Sequence, residues 1–343
     1  MFRSGHTGHR RLRLRYSGAA GLVRPPTAFA VGEPVTNPAS RDTEGREVGI
    51  REQVRSGLLA AALVVGFASG ASAQAAGAGG VEVLGVRAMG MAGAFVAVAD
   101  DATAAYWNPA GLGTGDFFSL AAERSHVTLP PVDGVTPALR TGAFLVGTPP
   151  LGAGYYRLGD THVVPVTLAQ SIGDHFNVGG AVKGVWGEGI DGRTHGRLDA
   201  DLGVMVRADA WRVGLVLRNL AEPSFGPEVV AVEGNRYRLE RHARLGVALF
   251  PRDGLTVAVD ADLTPLDTAD GRRRSIAAGL EQRAGSRVVL RGGVRAQTID
   301  DARPSASGGA SVAITALLWA DVQATGGSDR GDRSWTVGLR AKF

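Results

Sequence analysis

Residues Trp335–Phe343, with the sequence WTVGLRAKF, carry the strongest indication of how this chain folds. Its odd-numbered positions are Trp, Val, Leu, Ala and Phe, whereas its even-numbered positions are Thr, Gly, Arg and Lys. Because side chains alternate between the two faces of a strand, the stretch predicts a strand with one apolar and one polar face. An apolar face that finishes on an aromatic residue is typical of an outer-membrane strand at the lipid interface. If the pattern recurs upstream, the apolar face is solvated by a bilayer.

The composition is consistent with a protein made of strands and turns. The chain has 343 residues, of which 50 are Gly and none is Cys. The absence of Cys excludes disulfides, thiolate metal sites and Cys nucleophiles, and it suits a chain that crosses an oxidising periplasm unfolded. The net charge of +4 is spread along the sequence and forms no basic helix, so a nucleic-acid partner is not expected.

The N-terminal region contains the parts of a secretory signal. Arg51 and Arg55 precede the apolar run 57–68, which is followed by Ala71-x-Ala73. We therefore predict a signal peptide over 51–73, with an uncleaved anchor as the alternative, and Sec export to the outer membrane of a Gram-negative-type bacterium. Residues 1–50 are rich in Arg, Pro and Gly and are predicted to be a non-native or disordered extension.

Alternating patterns recur from about residue 116 onward, for example over 198–206, 211–218, 255–263 and 288–296. A soluble sandwich would show the same period, so the connections decide between the two folds. Short breaks fall at 149–150, 173–174, 209–210, 251–254, 284–286 and about 315. Longer polar breaks fall at 128–139, 188–196, 221–240, 264–273, 298–306 and 326–333, and the break at 159–161 is short where a long one is due.

This alternation of short and long connections is typical of outer-membrane barrels, which have tight periplasmic turns and longer external loops. It predicts an all-β fold: a transmembrane antiparallel β-barrel over 116–343, with about fourteen strands of roughly ten residues each. Both ends of the barrel then lie on the periplasmic side. The expected partners are outer-membrane lipid and the barrel-assembly machinery, which would recognise the strand that ends at Phe343.

Charged side chains that alternate with apolar ones are predicted to line the lumen, because a midplane Arg or Lys in lipid would cost roughly 2–4 kcal/mol. They are Lys183, Asp199, Asp201, Arg218, Arg244, Asp260, Asp262, Glu281, Arg283, Arg291, Arg295, Arg340 and Lys342. We expect them to pair across strands. Asp199-x-Asp201 and Asp260-x-Asp262 could instead hold a cation, but pairing with basic residues is favoured, and no metal or cofactor is predicted.

The segment that precedes the barrel does not alternate. Residues 85–113 read GVRAMGMAGAFVAVADDATAAYWNPAGLG. Asp100 and Asp101 can cap a short helix over 102–107, and Asn108-Pro109 can end that helix. Because irregular backbone is not stable in lipid, we place 74–115 as a periplasmic N-terminus and a plug or hatch inside the barrel.

The same segment resembles the opening motif of PorV/PorQ-type outer-membrane proteins, within the superfamily of the long-chain fatty-acid transporter FadL. The residues of the motif are Arg87, Gly90, Gly93, Asp100, Asp101, Asn108, Pro109 and Ala110. The resemblance implies a fourteen-stranded barrel with an N-terminal plug. It also implies either passage of hydrophobic compounds or attachment to a protein-secretion machine.

The leading functional prediction is passage of small hydrophobic molecules through the plugged barrel. The residues of a ligand groove beside the plug would be Met89, Met91, Phe95, Tyr106 and Trp107. The alternative is a non-transporting module that docks secreted or surface proteins through the loops at 221–240 and 298–306. An enzyme is not expected, because the sequence has no HExxH, Walker or GxSxG motif.

Overall fold

The computed structural model describes residues 82–128, 138–188, 193–225, 238–268, 271–328 and 333–343. The predicted extension over 1–50, the signal peptide over 51–73 and the first part of the predicted plug region lie outside the described residues. Within these described ranges, three short helices precede the barrel: α1 (Val86–Gly90), α2 (Ala104–Trp107) and the 3-10 helix η1 (Pro109–Thr114). None of the helices in the described ranges is both long enough and apolar enough to span a membrane.

Sixteen strands follow. They are β1 (Ser119–Thr128), β2 (Ala138–Thr148), β3 (Leu151–Leu158), β4 (Thr161–Ile172), β5 (Phe176–Glu188), β6 (Thr194–Arg207), β7 (Trp211–Arg218), β8 (His242–Arg252), β9 (Leu255–Asp262), β10 (Leu266–Thr268), β11 (Gly271–Arg273), β12 (Ser275–Ala284), β13 (Val288–Gln297), β14 (Ser305–Ala313), β15 (Leu318–Gly327) and β16 (Arg333–Lys342). Fourteen of them form a closed antiparallel barrel, and β10 and β11 form a separate two-stranded sheet. The predicted fold and strand number are therefore confirmed.

The barrel closes between its first and last strands. β1 and β16 pair from Ser119–Lys342 at one end to Thr128–Arg333 at the other. Beyond this ladder, Phe118 and Phe343 exchange both backbone hydrogen bonds, at 2.9 and 3.0 Å, and their rings stack with centroids 4.6 Å apart. Phe343 thus completes the seam at the rim that the sequence predicts to be periplasmic.

The outer face of the barrel is apolar, as the alternation predicts. In β16, Trp335 and Val337 are about half exposed, whereas Thr336 and Arg340 are buried in the lumen. In β6, Leu198 and Leu202 are exposed while Asp199 and Asp201 are buried. Exposed Leu and Val beside buried Asp and Arg is the arrangement of a barrel whose outer face meets lipid.

The connections also follow the prediction. At the end of the barrel predicted to be periplasmic, two to four residues separate the strands at each turn, from Pro149-Pro150 to 314–317. The connections at the other end are longer, and the turn at Gly159-Asp160 is the short exception there, as predicted. The prediction missed the sheet formed by β10 and β11, which lies within the loop predicted at 264–273.

Two local predictions need correction in the segment before β1. The helix predicted over 102–107 begins at Ala104, because the Asp101 carboxylate accepts hydrogen bonds from the Thr103 amide and hydroxyl and holds the preceding residues in a turn. The second correction is α1, which was not predicted; it begins directly after Gly85, a residue with a φ of 89°.

One ladder in the barrel wall is interrupted. β3 pairs with β4 over Leu151–Ala153 and again over Tyr156–Leu158, but Gly154 and Tyr155 are absent from the ladder. The residue of β4 opposite Gly154 is Pro165, which has no amide hydrogen to donate. The wall between β3 and β4 is therefore held by fewer hydrogen bonds at this level than above or below it.

A charge placed on the outer face tests the orientation of the strands. We expect Leu202→Arg, near the middle of β6, to lower the free energy of unfolding by about 2–4 kcal/mol, because an arginine at the bilayer midplane must be desolvated. Leu198→Arg, four residues nearer the external end of the same face, should cost at most about 1 kcal/mol. Urea unfolding in lipid vesicles measures both, and equal effects would contradict the assignment.

Candidate functional site: the plugged lumen

Residues 82–114, here called the plug, lie against inward-facing residues of strands all around the barrel. Wall glycines make this close approach possible. A Cβ atom at Gly279 would lie 2.6 Å from the Met91 carbonyl oxygen, and one at Gly214 would lie 2.7 Å from the Val96 carbonyl oxygen. Since side chains at these positions would displace the plug backbone, the glycines explain how a folded segment fits inside the barrel.

Two wall carboxylates hold the plug by its backbone. Glu123 of β1 accepts hydrogen bonds from the amides of Gly85 and Val86 at 2.6 and 2.9 Å, at the start of α1. Asp260 of β9 accepts from the amides of Phe95 and Val96 at 2.8 Å each. Both carboxylates thereby satisfy pairs of buried amides that no secondary structure satisfies.

Arg87 is the main charged contact of the plug motif. Its guanidinium binds both carboxylate oxygens of Glu281 on β12, at 2.8 and 2.9 Å, and it contacts Asp100 at 2.5 Å and Asp101 at 3.4 Å. The Arg and the Asp-Asp pair of the motif are thus brought together by folding, and one arginine joins two parts of the plug to the wall. The bidentate geometry suits guanidinium and not ammonium.

Glu82 is a second charged centre, and the sequence analysis missed it. Its carboxylate pairs with Arg244 at 2.7 Å, Arg295 at 3.1 Å and Arg218 at 3.2 Å. Burial raises the pKa of Glu82, but the three guanidinium groups outweigh burial and lower this pKa to about 2, so the side chain is a carboxylate at any physiological pH. The partners come from β7, β8 and β13, and no local sequence signal links them to Glu82.

The Asn-Pro-Ala element fixes the plug at mid-lumen. The Asn108 side-chain amide donates to the Val96 carbonyl at 2.9 Å and to the Val204 carbonyl at 3.3 Å, and its oxygen accepts from the Ala110 amide at 3.1 Å. Pro109 begins η1, where the missing amide hydrogen costs nothing. Of the two motif glycines, Gly93 has a φ of 83° and Gly90 lies against the backbone of Gly309.

The predicted lumen charges are largely paired. Lys183 contacts Asp199 and Asp201 at 2.7 Å each, Arg244 binds Asp262 at 2.6 Å, and Arg291 binds Glu281 at 2.6 Å. Both Asp-x-Asp pairs are therefore engaged with basic side chains or with plug amides. The other predicted residues lie nearer the rim: Arg340 pairs with Asp321, Lys342 pairs with Asp116, and Arg283 is exposed with its guanidinium 5.9 Å from the Trp319 ring.

The lumen has two chemically different sides. From β6 to β16, and on to β1, the wall carries the carboxylates and guanidinium groups that hold the plug. From β2 to β5 its buried side chains are mainly apolar, among them Leu145, Tyr156, Val163 and Val185, and Lys183 is the charged residue at the inward positions of these described strands. The plug is thus held by polar contacts on one side and meets an apolar surface on the other.

A cavity of about 80 Å³ lies where the apolar side meets β6 to β8, towards the external end. Its apolar lining is formed by Tyr106, Tyr156, Leu158, Val163, Val185, Leu239 and Leu266. Ten polar residues complete the lining, among them Glu82, Lys183, Asp201, Arg218, Glu240 and His242. Tyr156 and Val163 face each other in the pair that follows the interruption between β3 and β4.

The cavity includes one of the five residues predicted to line a groove. The Tyr106 ring lies edge-on to Tyr156 with centroids 5.5 Å apart. Met89 is 5% exposed, and Met91, Phe95 and Trp107 are completely buried in the plug core. The remaining lining residues come from the plug, from β3 to β8, from the residues that flank β8, and from β10. Of these residues, strand periodicity predicts only Lys183, Asp201 and Arg218 to face the lumen.

Arg218 places hydrogen-bond donors at the wall of the cavity. Its guanidinium lies 4.3 Å from the centre of the Tyr106 ring and is 7% exposed. One nitrogen pairs with Glu82, whereas Nε and Nη2 have no hydrogen-bond partner among the described residues. Two buried donors at a cavity wall can bind an oxygen atom of a guest molecule or of water.

The fold and lumen define a transmembrane β-barrel closed by an internal plug. Among solved structures, the chain is similar to a CymD monoaromatic hydrocarbon channel (14% identity, TM-score 0.58, covering 75% of this chain and 96% of that chain). It is also similar to the Ralstonia pickettii toluene transporter TbuX, with 14% identity and a TM-score of 0.58, covering 77% of this chain and 99% of that chain. A Pseudomonas aeruginosa FadL homologue is similar with 12% identity and a TM-score of 0.55, again covering 77% of this chain and 99% of that chain. These similarities confirm the predicted fold alone, and both the FadL-like and the PorV/PorQ relationship stay predictions.

The sequence comparisons reach less of the chain. A family model described as "F plasmid transfer operon, TraF, protein" matches residues 188–262, from the end of β5 to the end of β9. The comparison with curated proteins finds no match.

The close approach of plug and wall predicts a difference between two adjacent glycines. A side chain at Gly179 would collide with the backbone of Pro109 and Ala110, whereas at outward-facing Gly180 the nearest atom is a Leu202 methyl at 3.5 Å. We expect Gly179→Val to release η1 and Gly180→Val to leave it in place. With Leu112→Cys as the single thiol, maleimide labelling should be faster in the first variant, and equal rates would contradict the proposed contact.

The Arg87 contacts predict a large energetic effect. Arg87→Met leaves Asp100 with only a 3.5 Å contact to Arg212 and leaves Glu281 with Arg291 alone, and it should lower the free energy of unfolding by about 3 kcal/mol. Arg157→Met removes a half-exposed pair with Asp160 and should cost less than about 1 kcal/mol. Urea unfolding in vesicles compares them, and the same midpoint for both variants would show that the plug contributes little to stability.

Proposed function

We propose that this protein is an outer-membrane channel that allows small hydrophobic compounds to pass through its plugged barrel. The position of the cavity is the main observation that supports this proposal. Tyr156 and Val163 line it and also flank the interrupted ladder between β3 and β4. A compound in the cavity is therefore separated from the lipid-facing side by one layer of wall, at the level where that layer has fewest hydrogen bonds.

The chemistry of the lining supports the same conclusion. The apolar side chains of β3, β4 and β5 can desolvate a small hydrophobic molecule, and Arg218 can accommodate one oxygen atom on it. The pair of Glu82 and Arg218 borders the cavity, whereas the contacts of Arg87 with Glu281, Asp100 and Asp101 are absent from its lining. Passage along the apolar side would therefore leave the ion pairs of Arg87 intact. Similarity in fold to structures titled as hydrocarbon channels agrees with this proposal.

Uptake of toluene by cells tests the proposal. The protein is expressed in a Gram-negative host, whose outer leaflet slows hydrophobic compounds, and the initial uptake rate is compared with that of cells lacking the protein. Leu158→Trp should reduce the uptake rate to that of cells lacking the protein, because the larger side chain narrows the cavity. Leu151→Trp makes the same change on the exposed face of the same strand and should leave uptake unchanged. Equal uptake with and without the protein would refute transport of such compounds.

The route can be examined separately. Pro165→Ala restores an amide hydrogen opposite Gly154 and should strengthen the ladder between β3 and β4. If compounds leave through the wall, this variant slows uptake although its cavity is unchanged. Unaltered uptake would place the exit at the periplasmic end of the lumen.

Docking of secreted or surface proteins remains the second candidate, and the tight packing of the plug favours it. Met91, Phe95 and Trp107 are completely buried, so this part of the lumen offers no open path. A docking module should copurify from mild detergent with a stoichiometric protein partner and should give no toluene uptake.

A further inference from the structure

The described lining of the cavity has an apolar half and a polar half. The apolar half belongs to β3, β4 and β5 and is formed by Tyr156, Leu158, Val163 and Val185. The polar half lies towards β6, β7 and the start of β8, and its side chains include Asp201, Arg218, Glu240 and His242. A guest that contacts both halves therefore has an apolar body with a polar group at one end.

Arg218 offers two hydrogen-bond donors to such a polar group. Its Nη1 donates to Glu82 at 3.2 Å, whereas Nε and Nη2 have no hydrogen-bond partner among the described residues. The N–H bonds of Nε and Nη2 point the same way along one edge of the planar guanidinium, so the pair can donate to a single oxygen atom. Because a buried donor without a partner costs free energy, an oxygen atom at this edge is stabilised. The ion pair with Glu82 uses the other nitrogen and is left intact.

The charges of the lining favour a neutral guest. Four carboxylates and three Lys or Arg groups are its described charged side chains, namely Glu82, Asp201, Glu240 and Asp267, and Lys183, Arg218 and Arg238. Arg218 already pairs with Glu82, and Lys183 already pairs with Asp201. An anion would therefore meet an excess of carboxylates, whereas a cation would give the Nε and Nη2 donors no acceptor.

The volume of the cavity limits the size of the guest. This volume is about 80 Å³, which is smaller than the roughly 150 Å³ of an apolar cavity that holds benzene. One ring therefore fits when apolar neighbours such as Leu158 move aside, and a larger body does not.

Among neutral polar groups, a hydroxyl uses the polar half most fully. Its oxygen accepts from Arg218, and its hydrogen can be donated to a carboxylate of the same half, such as that of Asp201 or Glu240. A methyl group of the same size would leave the two Arg218 donors unsatisfied.

We propose that the cavity binds neutral one-ring compounds with a hydroxyl group in preference to hydrocarbons of the same shape. Phenol is the simplest member of this class. The hydroxyl oxygen accepts hydrogen bonds from Nε and Nη2 of Arg218, the O–H group donates to a lining carboxylate, and the ring lies against Tyr156 and Val163. This preference rests on the proposed function, because it names the class of compound that the channel carries.

Fluorine NMR titration of the purified full-length protein in detergent micelles tests the proposal. The probes are 4-fluorophenol and 4-fluorotoluene, which differ by a hydroxyl and a methyl group of similar size. R218K keeps a cation beside Glu82 but removes the edge formed by Nε and Nη2. It should weaken 4-fluorophenol binding by about tenfold, the effect of one hydrogen bond to a charged group, and leave 4-fluorotoluene binding unchanged.

Two control variants accompany R218K. R252K makes the same exchange at an exposed position at the end of β8 and should leave the binding of both probes unchanged. Leu158→Trp fills the cavity and should abolish the binding of both probes. Heat-modifiable gel mobility confirms that each variant is folded.

The wild-type protein provides a measurement that needs no substitution. Relative to partition into protein-free micelles, 4-fluorophenol should bind at least about tenfold more tightly than 4-fluorotoluene. Equal relative affinities would overturn the proposal and would indicate that water satisfies the Arg218 donors. An equal loss of both probes in R218K would also overturn it, because Arg218 would then only shape the cavity.

These titrations are independent of the uptake measurements. Toluene uptake without a preference for 4-fluorophenol would refute the preference and leave the proposed channel intact. Selective binding of 4-fluorophenol without uptake of toluene would refute the channel and leave the binding site intact.

Discussion

Backbone hydrogen bonding in lipid is the constraint on which the rest of this structure depends. An unpaired amide or carbonyl in the bilayer costs several kcal/mol, so a sheet can span the membrane only if its first and last strands pair. Here that closure is made by β1 and β16 and is completed by the backbone exchange between Phe118 and Phe343. Once the sheet is closed, every second side chain of a strand points inward, because side chains alternate between its two faces. The lumen must then accommodate side chains that lipid would reject.

The plug provides partners for the charged side chains that closure of the barrel places in the lumen. A lumen lined by buried carboxylates and guanidinium groups needs partners in place of bulk water. Glu123 and Asp260 find theirs in backbone amides of the plug, whereas the wall arginines Arg218, Arg244 and Arg295 converge on Glu82. The wall and the plug therefore satisfy each other's polar groups. The wall glycines are part of the same solution, because these short contacts need the two backbones to come close.

The barrel could be predicted from sequence because its signals are local and repeated. Alternation in each strand and the lengths of the connections gave the strand number, the lumen-facing charges and the position of Phe343. The site was less predictable, because its contacts join residues far apart in the chain. Glu82 and its arginines are separated by more than 130 residues. Aromatic character alone likewise could not distinguish Trp107, which is buried in the plug core, from Tyr106, which borders the cavity. The interruption at Gly154 depends on Pro165 of the neighbouring strand, so only strand register reveals it.

The asymmetry of the lumen reconciles a tightly held plug with a passage. If charged contacts surrounded the plug evenly, any opening would have to break buried ion pairs, and each broken pair would leave a charge that the lumen cannot hydrate. In this barrel those contacts lie on β6 to β16 and on β1, and the side formed by β2 to β5 meets the plug mainly through apolar surfaces. Apolar contacts can separate around a hydrophobic guest without leaving a group unsatisfied, because the guest replaces the contact that it displaces. The interruption between β3 and β4 lies on this same side. Passage therefore requires local movement of apolar groups, while the polar contacts keep the plug in place.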